Sequence, residues 1–416
     1  MPGYAGARPV DPRLTMVAVS NAADAARGRA AACAARVAYV DPQSYHGLAK
    51  YDVGYLRGLC DAGFGGDVIF YCSTLFDGKT PDPVDVRPIF AYNRKGSAAL
   101  KALSYARSML RLVREAASSP AGIYHFQWFK LPALDYLCVL ALKRLTRAKV
   151  IMTAHNLAPH GSENRSHRML GRIYRAVDGI VVHNEKTARE IAERFNVDPA
   201  RISVLRHGPI KIDARGRPRH RRSIKRFAAE FDLRFLFIGR GSRYKGLDTL
   251  LEAWPRFVTA APGRPGLIVI GRVDDELKEL ANATAREQKS LLLIDDYVAD
   301  ADLYHAMRKA NVAVLPHRRI SQSGALLTVL NRRLPVLVSN LPGLVEPFQF
   351  ANVGWQFDGS VDGLVEALMR VAERPERVAE IRGDEAGWNA LMEAYAWRRV
   401  GSRANDVYRR LVERQG

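Results

Sequence analysis

Residues 235–254 read Phe-Leu-Phe-Ile-Gly-Arg-Gly-Ser-Arg-Tyr-Lys-Gly-Leu-Asp-Thr-Leu-Leu-Glu-Ala-Trp, and no other stretch constrains the fold as tightly. Phe235 to Ile238 form a short, wholly apolar run, the pattern of a strand buried on both faces of a parallel sheet. Three glycines then fall within eight residues. Leu247, Leu250, Leu251, Trp254 and Val258 follow at helical spacing and mark one apolar helix face. The order is strand, Gly-rich basic turn, helix. Such a turn directs backbone N–H groups and the positive end of a helix toward one spot. Arg240 and Lys245 add two cationic side chains beside it, so an anionic group such as phosphate is the expected occupant. An ordinary βα connection with solvated Arg and Lys shares the pattern. The stretch matches neither G-x-G-x-x-G nor G-x-x-x-x-G-K-[ST].

The rest of the chain repeats the scheme. Before it, strands are expected at 36–42, 67–73, 123–127, 149–156, 179–184 and 201–208, alternating with helices that include 97–118, 131–145, 163–177 and 185–195. Residues 75–91, rich in Pro and Asp, look like an excursion. After it, strands are expected at 267–271, 291–295, 311–315 and 335–339, with helices at 275–287, 300–309, 324–332 and 361–373. Strands alternating with helices of this length predict an α/β protein whose parallel sheets are covered on both faces. Asp300 and Asp302 suit a helix N-terminus by capping and dipole. Residues 214–226 carry seven Arg or Lys and no acid, which places a solvated basic linker at 211–232. The expected organisation is a disordered leader at 1–35, one Rossmann-like domain at 36–210, a second at 233–383, and helices at 384–416.

The net charge of +20 calls for a partner. No RRM, KH, zinc-finger or helix-turn-helix signature is present, and aromatic and basic residues do not interleave as in strand-binding proteins. Nucleic acid is therefore not expected. An anionic membrane surface is the favoured partner, in competition with a bias toward Arg in the composition. The helix at 97–118, with Lys101, Arg107, Arg111 and Arg114 among leucines, fits either a membrane surface or a packed surface helix. No apolar run is long enough to span a bilayer. The four cysteines lack metal-ligand spacing and suit reduced thiols in the cytoplasm.

Gly239-Arg240 followed by Lys245-Gly246 closely resembles the segment that opens the second domain of GT-B fold glycosyltransferases related to family 4 (group 1). Asp295-Asp-Tyr297-Val298 with Ala310 to Pro316, and Ser321-Gln322-Ser323-Gly324 with Pro342-Gly343 and Glu346, carry the likeness further. The resemblance implies two Rossmann-like domains facing a cleft, with C-terminal helices crossing back to the first. It implies that Arg240, Lys245 and Gly241 bind the diphosphate of a UDP- or GDP-sugar co-substrate, and that the base lies at Tyr297 and Val298. Where relatives have two glutamates flanking seven residues, this chain has Ile320 and Thr328. Ser321, Gln322, Ser323, Gly324 and Thr328 are then the expected donor contacts, as in an exopolysaccharide-type subset with Gln-Ser-Gly here. In the first domain, His155 and Asp41 are the catalytic candidates. His46, Gly47, Asn156 and His160 are the acceptor candidates, with His125 and His183 also at strand ends. No tightly bound cofactor and no essential metal are expected; Asp300-Ala-Asp302 is spaced like a metal motif but sits as a helix cap.

The activity so implied is transfer of a sugar from a nucleoside-diphosphate sugar to a hydroxyl of a saccharide or lipid-linked saccharide. Surface polysaccharide or glycoconjugate synthesis is the implied setting, in the cytoplasm or on the inner membrane face. A sugar-nucleotide epimerase of the same fold, or an inactive scaffold that binds carbohydrate or a protein, remains an alternative.

Overall fold

The computed structural model describes residues 36–45, 47–91, 97–155, 165–320 and 322–413. His46, Asn156, His160 and Ser321 lie outside the described residues, as does the expected leader.

The chain builds two parallel sheets in succession. The first comprises β1 (Val37–Asp41), β2 (Val68–Ser73), β3 (Asp85–Phe90), β4 (Ile123–Phe126), β5 (Lys149–Thr153), β6 (Gly179–Val182) and β7 (Ile202–Val204), in the order β3-β2-β1-β4-β5-β6-β7. The second comprises β8 (Leu233–Ile238), β9 (Pro265–Ile270), β10 (Leu291–Ile294), β11 (Val312–Leu315), β12 (Val336–Ser339) and β13 (Gly354–Phe357), in the order β10-β9-β8-β11-β12-β13. In each sheet the first strand lies in the middle and the winding reverses beside it. Ligands of open α/β sheets bind at that switch point, outside the carboxyl ends of the strands. The Gly-rich turn leaves the end of β8, so topology puts it at the switch point of the second sheet.

Two strands were not expected, and both are edges. β3 pairs in parallel with β2 and has Pro88 within it. Its first four residues are largely exposed, so it lacks the apolar signature of a buried strand and tolerates a residue without an N–H. β13 opens on Gly354, whose φ is 145°; a Cβ there would lie 1.8 Å from the Val336 carbonyl oxygen.

The basic segment is only partly a linker. Arg221–Glu230 is a helix that buries Ile224 and Phe227 in the core of the second sheet. The apolar pair, three apart, docks it and leaves the cations outside. Asp300 and Asp302 also depart from expectation. The helix Asp300–Lys309 has Ala299 as its N-cap and no side-chain capping bond. Asp300 instead pairs with Lys50 of the first sheet's side at 2.5 Å and accepts from the Asp213 N–H at 2.7 Å, while Asp302 accepts from the His220 N–H at 2.7 Å. A second ion pair, Arg206–Glu346 at 2.6 Å, also joins the halves.

The terminal helix Trp397–Glu413 returns to the first sheet. Val400, Ala404, Val407, Tyr408 and Leu411 enter the core beneath Tyr39 and Phe70. It lies against the helix Gly47–Asp61 with no room between backbones: a Cβ on Gly401 would sit 2.0 Å from the Gly58 carbonyl oxygen. No helix among the described residues is long and apolar enough to cross a membrane.

Candidate donor and acceptor sites

The turn after β8 is organised differently from the expected ring of free N–H groups. The N–H groups of Gly239, Gly241, Lys245, Gly246 and Leu247 donate to the carbonyls of Ile270, Arg272, Ser242, Arg243 and Ser242. Gly241 thus offers no N–H to a phosphate. It is glycine because a Cβ would press on Leu247 at 2.5 Å. The cationic side chains are what the turn presents. Lys245 folds back over Gly239, whose φ of 99° and missing side chain leave room for the ammonium 3.0 Å from the Cβ position. Among the described residues the Lys245 ammonium has no hydrogen-bond or ion-pair partner. Burial, and then the charge of Arg240, push its pKa down to about 8. A cation held half-buried without a counterion is costly, and an incoming anion relieves that cost. Arg240 is the outer member: its Nε donates to Asp274 at 2.5 Å, and its side chain is 69% exposed.

No motif or spacing marks His317 in the sequence. It follows β11, beside Lys245, and is 1% exposed. Among the described residues neither ring nitrogen has a partner, and the Ser242 hydroxyl in the turn is likewise buried without one. Burial, then the Lys245 charge, push the pKa of His317 down to about 3, so the ring is neutral. Polar groups left unmatched beside an unmatched ammonium fit a site built for a polar ligand.

Next to the turn, a cavity of about 620 Å³ is lined by Gly239 and Arg240, the loop 271–276, and Asp296, Tyr297 and Val298. Tyr297 is 65% exposed there. The candidates at 322–328 are placed otherwise. Ser323 caps its own helix by accepting from the Leu326 N–H, and that helix, Gly324–Leu330, is only two turns long. Thr328 is buried and donates to the Gly324 carbonyl at 2.7 Å, so its hydroxyl serves the helix rather than a donor. Gly324 faces Ile210, and Gln322 donates to the His183 carbonyl at 3.3 Å, bridging the halves.

The first sheet has its own cavity, about 590 Å³, at the ends of β1, β3, β4 and β5. Tyr45, Phe90, Tyr105, Trp128, Phe129 and Tyr174 give it an aromatic lining, and His155 stacks on Trp128 at 4.7 Å and 9°. Behind His155 runs a chain of fixed protons. His183 Nδ1 lies 2.8 Å from the Leu205 carbonyl, which only accepts, so the proton is there. His183 Nε2 then accepts from His155 Nδ1 at 3.0 Å. His155 Nε2 is left as an acceptor, 3.2 Å from the Gln127 amide, whose Nε2 has no other partner. Turning that amide to donate satisfies both groups. Burial and the neighbouring histidines hold the pKa of His155 well below normal. A neutral ring bonded at both nitrogens is a poor general base, which corrects the expectation. His155 stands in the site as a rigid wall.

Asp41 is corrected too. It is 1% exposed, is absent from the cavity lining, and accepts from the Gln43 N–H at 2.6 Å. Burial raises its pKa to about 6, and burial, then the charge of Asp41, raises Asp52 beside it. The two form a carboxyl pair beneath the cleft floor. His125 is fully buried between Tyr408 and Thr153, at 2.7 and 2.8 Å, and is structural. Gly47 opens its helix into free space. Among the described residues no three His, Cys, Asp or Glu converge to hold a metal ion.

Two parallel sheets of this topology, each with a cavity at the carboxyl ends of its strands, define a GT-B protein. Residues 46–209 match the family described as Glycosyltransferase Family 4, and residues 232–374 the family described as Glycosyl transferases group 1. The chain belongs to this family of glycosyltransferases. It is 26% identical over 266 residues to D-inositol 3-phosphate glycosyltransferase 2 of Catenulispora acidiphila, across 59% of this chain and 60% of that protein. The chain thus spans about 60% of the length of the curated relatives it matches. In structure it is similar to sucrose-phosphate synthase from Thermosynechococcus elongatus, with a TM-score of 0.67 at 15% identity over 91% of this chain and 100% of that one. It is also similar to HepE from Anabaena in complex with UDP and glucose, with a TM-score of 0.64 at 12% identity over 89% and 98%.

Proposed function

We propose that the protein transfers a sugar from a nucleoside-diphosphate sugar to a hydroxyl of a saccharide or lipid-linked saccharide. The observation that carries this is Lys245: a half-buried ammonium without a counterion, at the end of the central strand β8, beside a cavity sized for a nucleoside. The diphosphate lies across Lys245 and the exposed side of Arg240, with the base toward Tyr297. The reaction breaks the bond from the anomeric carbon to the diphosphate. Charge builds on the departing oxygen, and preset cations lower that barrier most. The acceptor occupies the aromatic cavity of the first half, against the fixed face of His155 and Trp128. Helix Ala98–Ser118, beside that cavity, exposes Leu100, Leu103 and Leu110 among its cations, which suits an acceptor presented at an anionic membrane surface.

The test is a thermal-shift screen of UDP- and GDP-sugars followed by transfer from the labelled donor that binds. A donor at about 100 times its Kd adds about 2.7 kcal/mol to native stability. Stabilisation by a nucleotide sugar with no turnover on any saccharide acceptor would identify a binding scaffold instead. No stabilisation by any nucleotide sugar would overturn the donor site.

A further inference from the structure

The basic segment 214–226 lines neither cavity described above. It folds against the helix Asp300–Lys309, and together they enclose a third cavity of about 360 Å³. Arg221 and Lys225 line it from one helix, Arg308 and Lys309 from the other, with Tyr304 and His305 between; no carboxylate is among its walls. Among the described residues none of the four cations has an acidic partner. The nearby acids are engaged elsewhere: Asp300 with Lys50, Asp302 with the His220 N–H, and Glu230 with Arg226. His305 bonds to the Arg221 backbone, and its Nε2 is buried without a partner. The charges acting on that ring are Lys309, Arg221 and Arg308, all positive.

Four cations gathered around a concavity repel one another unless an anion neutralises them. Two guanidinium forks and two ammonium points form the donor set that grips a compact, multiply charged oxyanion. We propose that this cavity is a second anion site that takes a phosphate-bearing ligand, separate from the diphosphate position beside Lys245. The ligand's phosphate is either that of a soluble phosphate compound or that of a lipid headgroup; the chemistry of recognition is the same. Ala214 and Pro218 also line the cavity, so its occupant touches the chain that crosses from one sheet to the other.

Equilibrium dialysis of the full chain with inorganic pyrophosphate tests this. Wild type is compared with Lys245→Ala, with Lys225→Glu/Arg308→Glu, and with a control of equal charge change, Arg256→Glu/Arg403→Glu. All four reversed positions are exposed. A site is expected to persist in Lys245→Ala and in the control, and to weaken about tenfold or more in Lys225→Glu/Arg308→Glu, the scale of losing one charged hydrogen bond. Flotation with vesicles of phosphatidic acid in phosphatidylcholine, against phosphatidylcholine alone, separates the sources. Vesicle binding lost in Lys225→Glu/Arg308→Glu assigns a lipid headgroup; loss of pyrophosphate binding alone assigns a soluble phosphate. If pyrophosphate binding vanishes in Lys245→Ala and survives the reversal, all of it belongs to the donor position and the proposal falls. It falls equally if the control weakens as much, or if the reversal changes neither pyrophosphate nor vesicle binding.

Discussion

Lys245 and His317 are the residues on which the proposed donor site turns. Removing one preset charge-stabilising group costs about 10²-fold or more in turnover, so Lys245→Ala is expected to lose at least that much. Arg240→Ala loses less, because Asp274 already takes part of its charge. The sign of the pH dependence follows from the pKa of Lys245, lowered to about 8 by burial and by Arg240. An anionic donor prefers the protonated form. Its affinity is therefore level below about pH 8 and weakens above it as free Lys245 loses its proton; titration calorimetry across that range reads it, and Lys245→Arg flattens the profile. The same shift bears on stability with the opposite sense. The folded pKa lies below the unfolded one, so the penalty is full below about 8 and is relieved as pH rises toward the unfolded value. His317→Leu makes a sharper separation. It removes two buried, unmatched nitrogens, so the unfolding midpoint should hold or rise while donor affinity falls about tenfold. A fall in both would make His317 a packing residue.

At the scale of elements, the close crossing of helices Gly47–Asp61 and Trp397–Glu413 carries the return of the chain to the first sheet. Gly58 cannot take a Cβ without driving it to 2.1 Å from the Trp397 carbonyl oxygen. Gly58→Ala is expected to cost about 1–3 kcal/mol, the range for overpacking, read as a lower denaturant midpoint at unchanged slope. The same crossing carries Trp397 to Tyr51, which touches His155, His183 and His207 edge-on. The close packing of one helix pair and the rigidity of the wall at His155 are thus one structure. The family resemblance implied the return of the C-terminal helices to the first domain, but not their contact with the helix Gly47–Asp61. The spacing of Gly54, Gly58 and Gly401 has meaning only once the two are set against each other.

The whole molecule is held across its cleft by a few polar contacts. Lys50–Asp300 and Arg206–Glu346 are partly buried ion pairs joining the halves, and Gln322 bonds across to His183. Lys50→Ala with Arg206→Ala is expected to speed proteolytic cleavage within 209–220 and to lower transfer. The nucleotide-induced thermal shift should stay, since no donor contact is touched; loss of that shift would show that the donor site needs the closed arrangement. By itself the sequence determined the α/β alternation, the family, the central place of the stretch after β8, and Lys245 within it. Those signals are local: apolar periodicity, glycine spacing and cations two and seven residues beyond a strand end survive as pattern. The tertiary structure alone decided the rest. It turned the N–H groups of the turn inward, buried Asp41, bonded both nitrogens of His155, set His317 beside Lys245, and brought 221–225 against 308–309. Each of those depends on which groups meet from distant parts of the chain, and on the rule that a buried polar atom must find a partner there.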